Sequence, residues 1–441
     1  MNSRFTASKS NVSTKFDSGL FCFFASSTRV ARSSALIRKL STCLRIAVMY
    51  TSLYHVYMIT QRAYKFRFYP TPTQKRQLAL EFGHARFVWN WALETRTKAY
   101  QERGERLNNI GLSRQLTALK KAEYPWLSEA TAGCHTQKLR DQDTAFKNFF
   151  AGRAKYPRFK RRHHTQSVRY QLDQRHVARN FNAESQRLRL PKLEALKLKW
   201  SRDIEGIPKM VTVSKDPAGH YFVSMACEVT IVPLPARRNA LGVDVGVKDI
   251  AITSEGWKSG APKYTDRYAR QLKRAQRRLS KRQKGSGRRY QQRQRVARIH
   301  ARIKDSRRDF LHQISSKLIN ENQVICLEDL HIKGMLRNRR LSKAIADCGL
   351  YELRRQIEYK AAWTGRDVLI VDRWAPTSKT CSACGTVQES MALKVRAWTC
   401  GCGASHDRDI NAAKNVLFFG TAGSAGTSKA HGAVKPPRAV A

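Results

Sequence analysis

From Tyr64 onward apolar and polar positions alternate, with Tyr64, Phe66 and Phe68 set against Lys65, Arg67 and Tyr69, which predicts a strand with one buried face. Pro70-Thr71-Pro72-Thr73 ends the run as a turn that leads into a helix N-cap. The period then lengthens: Leu78, Phe82, Phe87, Trp91 and Leu93 recur at approximately helical spacing, so a helix is expected from residue 74 to about residue 103, with more helix up to about Gly152. Beyond Tyr156-Pro-Arg-Phe-Lys160 the texture returns to short β-like runs at 187–190, 196–200, 210–213 and 221–229. The N-terminal half therefore reads as a mixed, barrel-like β domain carrying a helical insertion.

The Pro-containing stretch 232–239 reads as a linker. After it, 241–247 and 249–253 read as adjacent strands, with Leu241, Val243 and Val245 on one face and Gly242, Asp244 and Gly246 on the other. A long helical segment follows, in which Val296, Ile299, Ile303, Phe310, Ile314 and Leu318 form an apolar stripe and Gly285-Ser286-Gly287 marks a hairpin break. Two buried strands, 324–327 and 368–371, flank a helical region at 342–363, and a last helix covers 410–419. Strand and helix alternate here as in an α/β sheet. The Gly/Ala/Ser/Lys/Pro-rich end, 420–441, is expected to be disordered, and no internal repeat is visible.

Charge changes the picture most. The 441 residues carry 83 Lys+Arg against 33 Asp+Glu, a net charge of +50, while the charged fraction is an ordinary 26%. A hydrophobic content of 41% excludes wholesale disorder, and the excess of positive sign points to a polyanionic partner rather than a small-molecule substrate. Between Arg267 and Arg308, 18 of 42 residues are Lys or Arg and Asp305 is the single acid. This hairpin, spanning 267–320, is suited to tracking a phosphate backbone, with Arg270, Lys273, Arg274, Arg277, Arg278, Lys281 and Arg282 as its first-limb contacts. Phe66, Tyr69, Phe159 and Tyr170, interleaved with basic residues, are candidates either for base stacking or for the core. No run of apolar residues is long enough for a membrane span, and residues 20–25 make a poor signal peptide, so the cytoplasm is the expected location.

Four of the ten cysteines cluster as Cys381-Ser-Ala-Cys384 and Cys400-Gly-Cys402, separated by a 15-residue loop. Two such knuckles, each followed by a glycine (Gly385, Gly403), suit one tetrahedral zinc, and a site closed by four sulfurs is structural rather than catalytic. Three acidic positions sit at predicted element boundaries: Asp244, Glu328, and Asp407 or Asp409. Carboxylates from distant segments can share divalent cations and direct water at a phosphodiester, and glycines flanking Asp244 leave room for a phosphate to approach. Asp407 is equally suited to cap the last helix, leaving Asp409 to face the site. Asp249 and Asp329 are weaker candidates, since Asp329 points away from Glu328 on an extended strand.

Taken together, Gly242-Val-Asp-Val-Gly-Val-Lys248, Leu327-Glu-Asp-Leu330, Ser378-Lys-Thr-Cys-Ser-Ala-Cys-Gly385 and His406-Asp-Arg-Asp-Ile-Asn-Ala-Ala-Lys-Asn415 resemble the insertion-sequence OrfB (TnpB) family. Tyr64-Lys-Phe-Arg-Phe-Tyr-Pro70, Phe87-Val-Trp-Asn90 and Tyr156-Pro-Arg-Phe-Lys160 add to the resemblance, which extends from about Tyr64 to Leu417. It implies an α/β C-terminal half of RNase H/RuvC-like fold with an inserted zinc ribbon. It further implies an RNA-guided DNA endonuclease, with Asp244, Glu328 and Asp409 as catalytic ligands of Mg²⁺ or Mn²⁺ and Cys381, Cys384, Cys400 and Cys402 as ligands of structural zinc. The implied partners are a guide RNA from the transposon end and double-stranded target DNA, met in a bacterial or archaeal cytoplasm at the nucleoid.

The expected organisation is a β domain with helical insertion (58–235) that recognises nucleic acid, the first part of the nuclease domain (236–380), a zinc ribbon (381–404), the last nuclease helix (405–419) and a tail (420–441). Residues 1–57, Ser-rich and basic with Asp17 the one acid, lie outside the family plan and read as a non-native extension from a misassigned start, or as a disordered basic arm. The rival functional readings are a non-catalytic nucleic-acid-binding regulator of transposition that retains the fold, and a DNA-strand transposase. Intact acids weigh against the first; the lack of a tyrosine or serine recombinase arrangement weighs against the second.

Overall fold

Alternation at Tyr64, Phe66 and Phe68 buries all three at 2% exposure or less. It does so on β1 (Met58–Phe68), which runs antiparallel to β8 (Tyr221–Ile231) from Met58 opposite Ile231 to Phe68 opposite Tyr221. The structure, a computed structural model, describes residues 58–425 except 183, 185, 393 and 394; the expectations for 1–57 and 426–441 fall outside them. With β2 (Gln166–Gln171), β6 (Leu198–Lys199) and β7 (Pro208–Lys215), these strands make a five-stranded sheet in the order β2-β7-β8-β1-β6. The barrel-like closure expected from the sequence does not occur, because β2 and β6 stay unpaired with each other and β6 offers only two residues of ladder. Strands β3 (Phe181–Asn182), β4 (Arg187–Leu190) and β5 (Leu193–Leu196) form a separate three-stranded sheet.

Between β1 and β2 lie α1 (Pro72–Arg103), α2 (Asn109–Ala122) and α3 (Ala132–Phe150). Thr71 starts α1 with a capping box: its side chain accepts from Gln74 N–H, and the Gln74 side chain accepts from Thr71 N–H. Two of the sequence motifs dock on each other here. Trp89 Nε1 donates to Arg158 O at 3.0 Å, and the Asn90 amide bonds both the carbonyl and the N–H of Lys160, at 3.1 and 2.8 Å. Of the four aromatics considered for stacking, Phe66 and Tyr170 are core residues, whereas Tyr69 and Phe159 are more than half exposed.

The second large sheet has the order β10-β9-β11-β12, from β9 (Ala240–Asp244), β10 (Ile252–Thr253), β11 (Val324–Glu328) and β12 (Asp367–Val371). β9, β11 and β12 are parallel and β10 is antiparallel to β9. The first strand is shorter than its alternation predicts, because Gly246 N–H donates to Asp249 O and turns the chain just after Asp244. The basic hairpin, α4 (Ala269–Ser280) and α5 (Gly287–Glu321), connects β10 to β11. α6 (Ser342–Cys348) and α7 (Leu350–Thr364) connect β11 to β12, split at Gly349, whose left-handed φ of 66° interrupts the single helical region expected there. Leu241, Val243, Ile325 and Leu327 point from the sheet into a core with Leu311, Ile314 and Leu318 of α5 and Leu353 and Ile357 of α7.

α8 (Arg408–Ala425) covers the opposite face, where Cys326, Val371 and Val416 pack together. The helix runs past the end expected from the sequence, so residues 420–425 are helical rather than tail. Gly420 is a close-approach residue, not a terminator: a Cβ there would sit 2.6 Å from Cys326 Sγ. Among the described residues no helix is long and apolar enough to cross a membrane.

Candidate active site and metal centre

Register brings the first two acids together. Leu327 lies opposite Val243 at the end of the β9–β11 ladder, so Asp244 and Glu328 follow at the C-terminal ends of two adjacent parallel strands. Since Leu241, Val243, Ile325 and Leu327 face the α5 core, strand alternation sends Asp244 and Glu328 to the α8 face. There Gly242 corrects the sequence reading: its missing side chain makes room for a helix, not a phosphate. A Cβ on Gly242 would lie 2.0 Å from Ala413 O and 2.8 Å from Leu417 Cβ. This close seating of α8 on β9 carries Asp409, in the first turn of the helix, to the same strand ends.

Asp244 sits within reach of the charges of both other acids. Burial, then the charges of Glu328 and Asp409, push the Asp244 carboxyl up to about 7. Glu328 Oε1 accepts from Thr377 Oγ1 at 2.5 Å, and Asp409 is bonded through both oxygens by Arg396, at 3.3 and 3.4 Å. Asp407 has a different task. Its Oδ1 accepts from the N–H groups of Asp409 and Ile410 as an N-cap, and its Oδ2 pairs with Lys258 Nζ at 2.6 Å. Asp329 points elsewhere, to Arg354 at 2.8 Å and to Arg373. Asp249 accepts from Gly260 N–H.

The sulfurs of Cys381, Cys384, Cys400 and Cys402 all lie within 4.8 Å of one another, the one such group of three or more His, Cys, Asp or Glu among the described residues. The Cys381–Cys402 and Cys384–Cys400 separations are 3.8 and 3.7 Å. A tetrahedron with Zn–S of 2.3 Å has edges of about 3.8 Å, so the sulfurs fit zinc, and C-x-C in the second limb is no obstacle. Gly385 and Gly403 turn both knuckles with φ of 79° and 86°, and β13 (Ala397–Thr399) pairs with β14 (Ser405–Asp407) to carry the second knuckle into α8.

Arg270, Lys273, Arg274, Arg277 and Arg278 are exposed on α4, and Lys281 and Arg282 are exposed in the turn after it. The limb is held rigid: Ala275 packs on Ile299 and Ile303, Gln292 Nε2 donates to Ala275 O at 3.0 Å, and Arg289 bonds Leu279 O and Arg282 O. Carboxylates near the hairpin base pair instead with Arg307, Arg308 and Lys343.

Sequence reasoning gave no role to Thr377, Arg396, His406, Asn411 or Asn415. His406 Nε2 lies 3.0 Å from Cys381 Sγ. The two asparagines, buried at 3% exposure or less, stand four residues apart on α8, and that polar pair within an otherwise apolar helix face was the available signal.

Residues 221–339 match a family model described as "Probable transposase", residues 351–416 one described as "Cas12f1-like, TNB domain", and residues 58–105, here β1 and α1, one described as "Helix-turn-helix domain". A chain of a solved Cas12f1–sgRNA–target DNA complex superposes with a TM-score of 0.48 at 12% identity, covering 81% of this chain and 99% of that one. A Streptomyces pristinaespiralis protein named "Putative RNA-guided DNA endonuclease" is 45% identical over 369 residues, 83% of this chain and 90% of its own. Its namesake InsQ from Escherichia coli (strain K12) is 32% identical over 383 residues, 82% of this chain and 92% of its own. With identity of that level running through both halves of the fold, the chain belongs to the insertion-sequence OrfB (TnpB) family.

Proposed function

We propose that the protein is a transposon-associated, RNA-guided DNA endonuclease whose nuclease domain has the RuvC-like (RNase H) fold. The observation that carries this reading is the meeting of Asp244, Glu328 and Asp409 at the ends of two adjacent parallel strands beneath α8. Their oxygens are hard donors suited to Mg²⁺ or Mn²⁺, and a carboxyl pushed up to about 7 is one whose ionised form awaits a cation. Asp244, Glu328 and Asp409 would hold the divalent ions, which when bound would supply an activated water and neutralise charge on the scissile phosphate, in a two-metal hydrolysis that would leave a 5′-phosphate and a 3′-hydroxyl.

The chain's own residues divide the remaining work. Asp407 caps α8 and so sets the direction from which Asp409 enters. Arg396 holds the Asp409 carboxylate in place. The four cysteines bind structural zinc as an inserted ribbon over 381–404, and the exposed face of α4 meets the phosphates of nucleic acid. The β domain at 58–235 holds guide and target. The guide RNA comes from the transposon end, the target is double-stranded DNA, and the site of action is the nucleoid.

The test is to sequence the RNA that co-purifies with protein expressed alongside its flanking DNA, then to assay Mg²⁺-dependent cutting of a plasmid library carrying the matched target. One discrete RNA and guided cutting abolished by Asp244→Ala, with RNA and DNA binding retained, is expected. A heterogeneous RNA pool without cutting would reduce the protein to a zinc-stabilised nucleic-acid binder.

A further inference from the structure

Glu328 ends its strand on a side chain with three rotatable bonds, and a hydroxyl from another element meets it. Thr377 Oγ1 donates to Glu328 Oε1 at 2.5 Å, and Thr377 is itself buried at 5% exposure. Thr377 belongs to the turn after β12, not to the sheet. Its carbonyl accepts from Asn415 Nδ2 at 2.7 Å, and the Thr380 carbonyl accepts from Asn415 and Asn411 at 2.6 and 2.7 Å. Asn411 Oδ1 accepts in turn from Ser382 N–H at 2.9 Å. Two buried amides one helical turn apart therefore grip the turn, which runs on directly into Cys381. Leaving any of these buried groups unpaired carries a desolvation cost, so the grip specifies one position rather than a range.

We propose that Thr377 is a positioning residue of the acidic site. By occupying Oε1 it leaves Oε2 of Glu328 as the oxygen presented to a divalent cation. Through Asn411 and Asn415 it registers that oxygen against the same helix that delivers Asp409. The inference rests on the reading of Asp244, Glu328 and Asp409 given above. It adds that the direction of Glu328 is set by a hydroxyl hung from α8, so that strand and helix donors keep a fixed separation. Partners of this outer kind orient ligands without touching the ion.

The experiment titrates the zinc-loaded, full-length protein with Mn²⁺, following free Mn²⁺ by electron paramagnetic resonance, and runs cleavage assays alongside. Thr377→Val removes the hydroxyl and keeps the shape; Thr377→Ser keeps the hydroxyl and loses a methyl; Glu328→Gln is the reference. The valine variant is expected to bind Mn²⁺ about 10- to 100-fold more weakly and to need correspondingly more Mn²⁺ for half-maximal cleavage, with target-DNA binding unchanged. The serine variant is expected to recover most of that loss. Wild-type Mn²⁺ binding in Thr377→Val would overturn the proposal, as would a serine variant as weak as the valine one, which would assign the residue to packing. If Glu328→Gln leaves Mn²⁺ binding untouched, the acidic-site reading fails and this proposal with it. If only the Thr377 variants are silent, that reading stands and the positioning role alone is lost.

Discussion

The cysteine cluster and the acidic cluster lie at opposite ends of β14 and the first turn of α8, and they are built on opposite principles. Two short turns draw the sulfurs together, Cys381 to 3.8 Å from Cys402 and Cys384 to 3.7 Å from Cys400, close to the edge of a tetrahedron around zinc. Of the carboxylates, two are held by the protein itself, Glu328 through Thr377 and Asp409 through Arg396. Asp244 bears the tension of the arrangement, with its carboxyl pushed up to about 7 by burial and by its acidic neighbours. Under the function proposed above, the cysteines would form a structural site complete when its ligands close, and the acids a working site that leaves charge unsatisfied until ions and substrate arrive.

The sharpest test of that contrast compares Asp244→Asn with Cys400→Ser. Asp244→Asn is expected to lower guided cleavage by about 10³-fold or more, the scale of losing one member of a catalytic unit, with one zinc per chain still found by elemental analysis. Cys400→Ser is expected to lose zinc and, because Cys381 continues the turn that holds Thr377, to lower cleavage by about 10- to 100-fold as well. Zinc loss in the aspartate variant would show that the two clusters are one. Next in size is Gly242→Ala, whose Cβ meets helix backbone at 2.0 Å. It should cost about 3 kcal/mol or more, the upper end for overpacking, and melting of the purified protein would register it.

A smaller effect follows from proton linkage. Asp244 holds its proton more tightly folded than unfolded, so between an unfolded value near 3.8 and a folded value of about 7 the native state binds more protons. Stability of the metal-free protein should therefore fall as pH rises through that window and level off above it. Asp244→Asn should flatten the slope, and Mg²⁺ should reverse the loss above pH 7; melting temperatures in chelator across pH 4–8 read both. The smallest change is expected on the basic hairpin. Arg274→Gln should weaken nucleic-acid binding a few-fold and reduce the slope of log affinity against log salt by about 0.9, the loss of one phosphate contact.

What could be read from the sequence divides along the same line. Cys381, Cys384, Cys400 and Cys402 are close in sequence, so spacing alone located their cluster. Tyr64, Phe66 and Phe68 gave β1 by alternation, and the stripe through Ile299, Ile303 and Ile314 gave α5. Asp244 and Glu328 were visible as acids ending apolar runs, but their neighbourhood depends on a β9–β11 register that no local pattern encodes. Glycine misled twice. Gly242 read as space for a phosphate and Gly420 as the start of a tail, whereas both are places where helix and sheet touch, and such contacts are long-range. The barrel failed to close for a related reason: alternation identifies a strand but says nothing of whether an edge as short as β6 can pair. Asn411 and Asn415 are polar residues whose partners are carbonyls, and a carbonyl leaves no mark in the sequence.

The seating of α8 on Gly242 also orders events in time. Asp244 and Glu328 leave the ribosome well before Asp409, and the asparagines that grip Thr377 emerge after it. Until then the chain has two of the acids and no helix to cover them. The acidic cluster is complete only once synthesis has passed Asp409, and the grip on Thr377 only once it has passed Asn415, so under the function proposed above a prematurely terminated chain would lack the site.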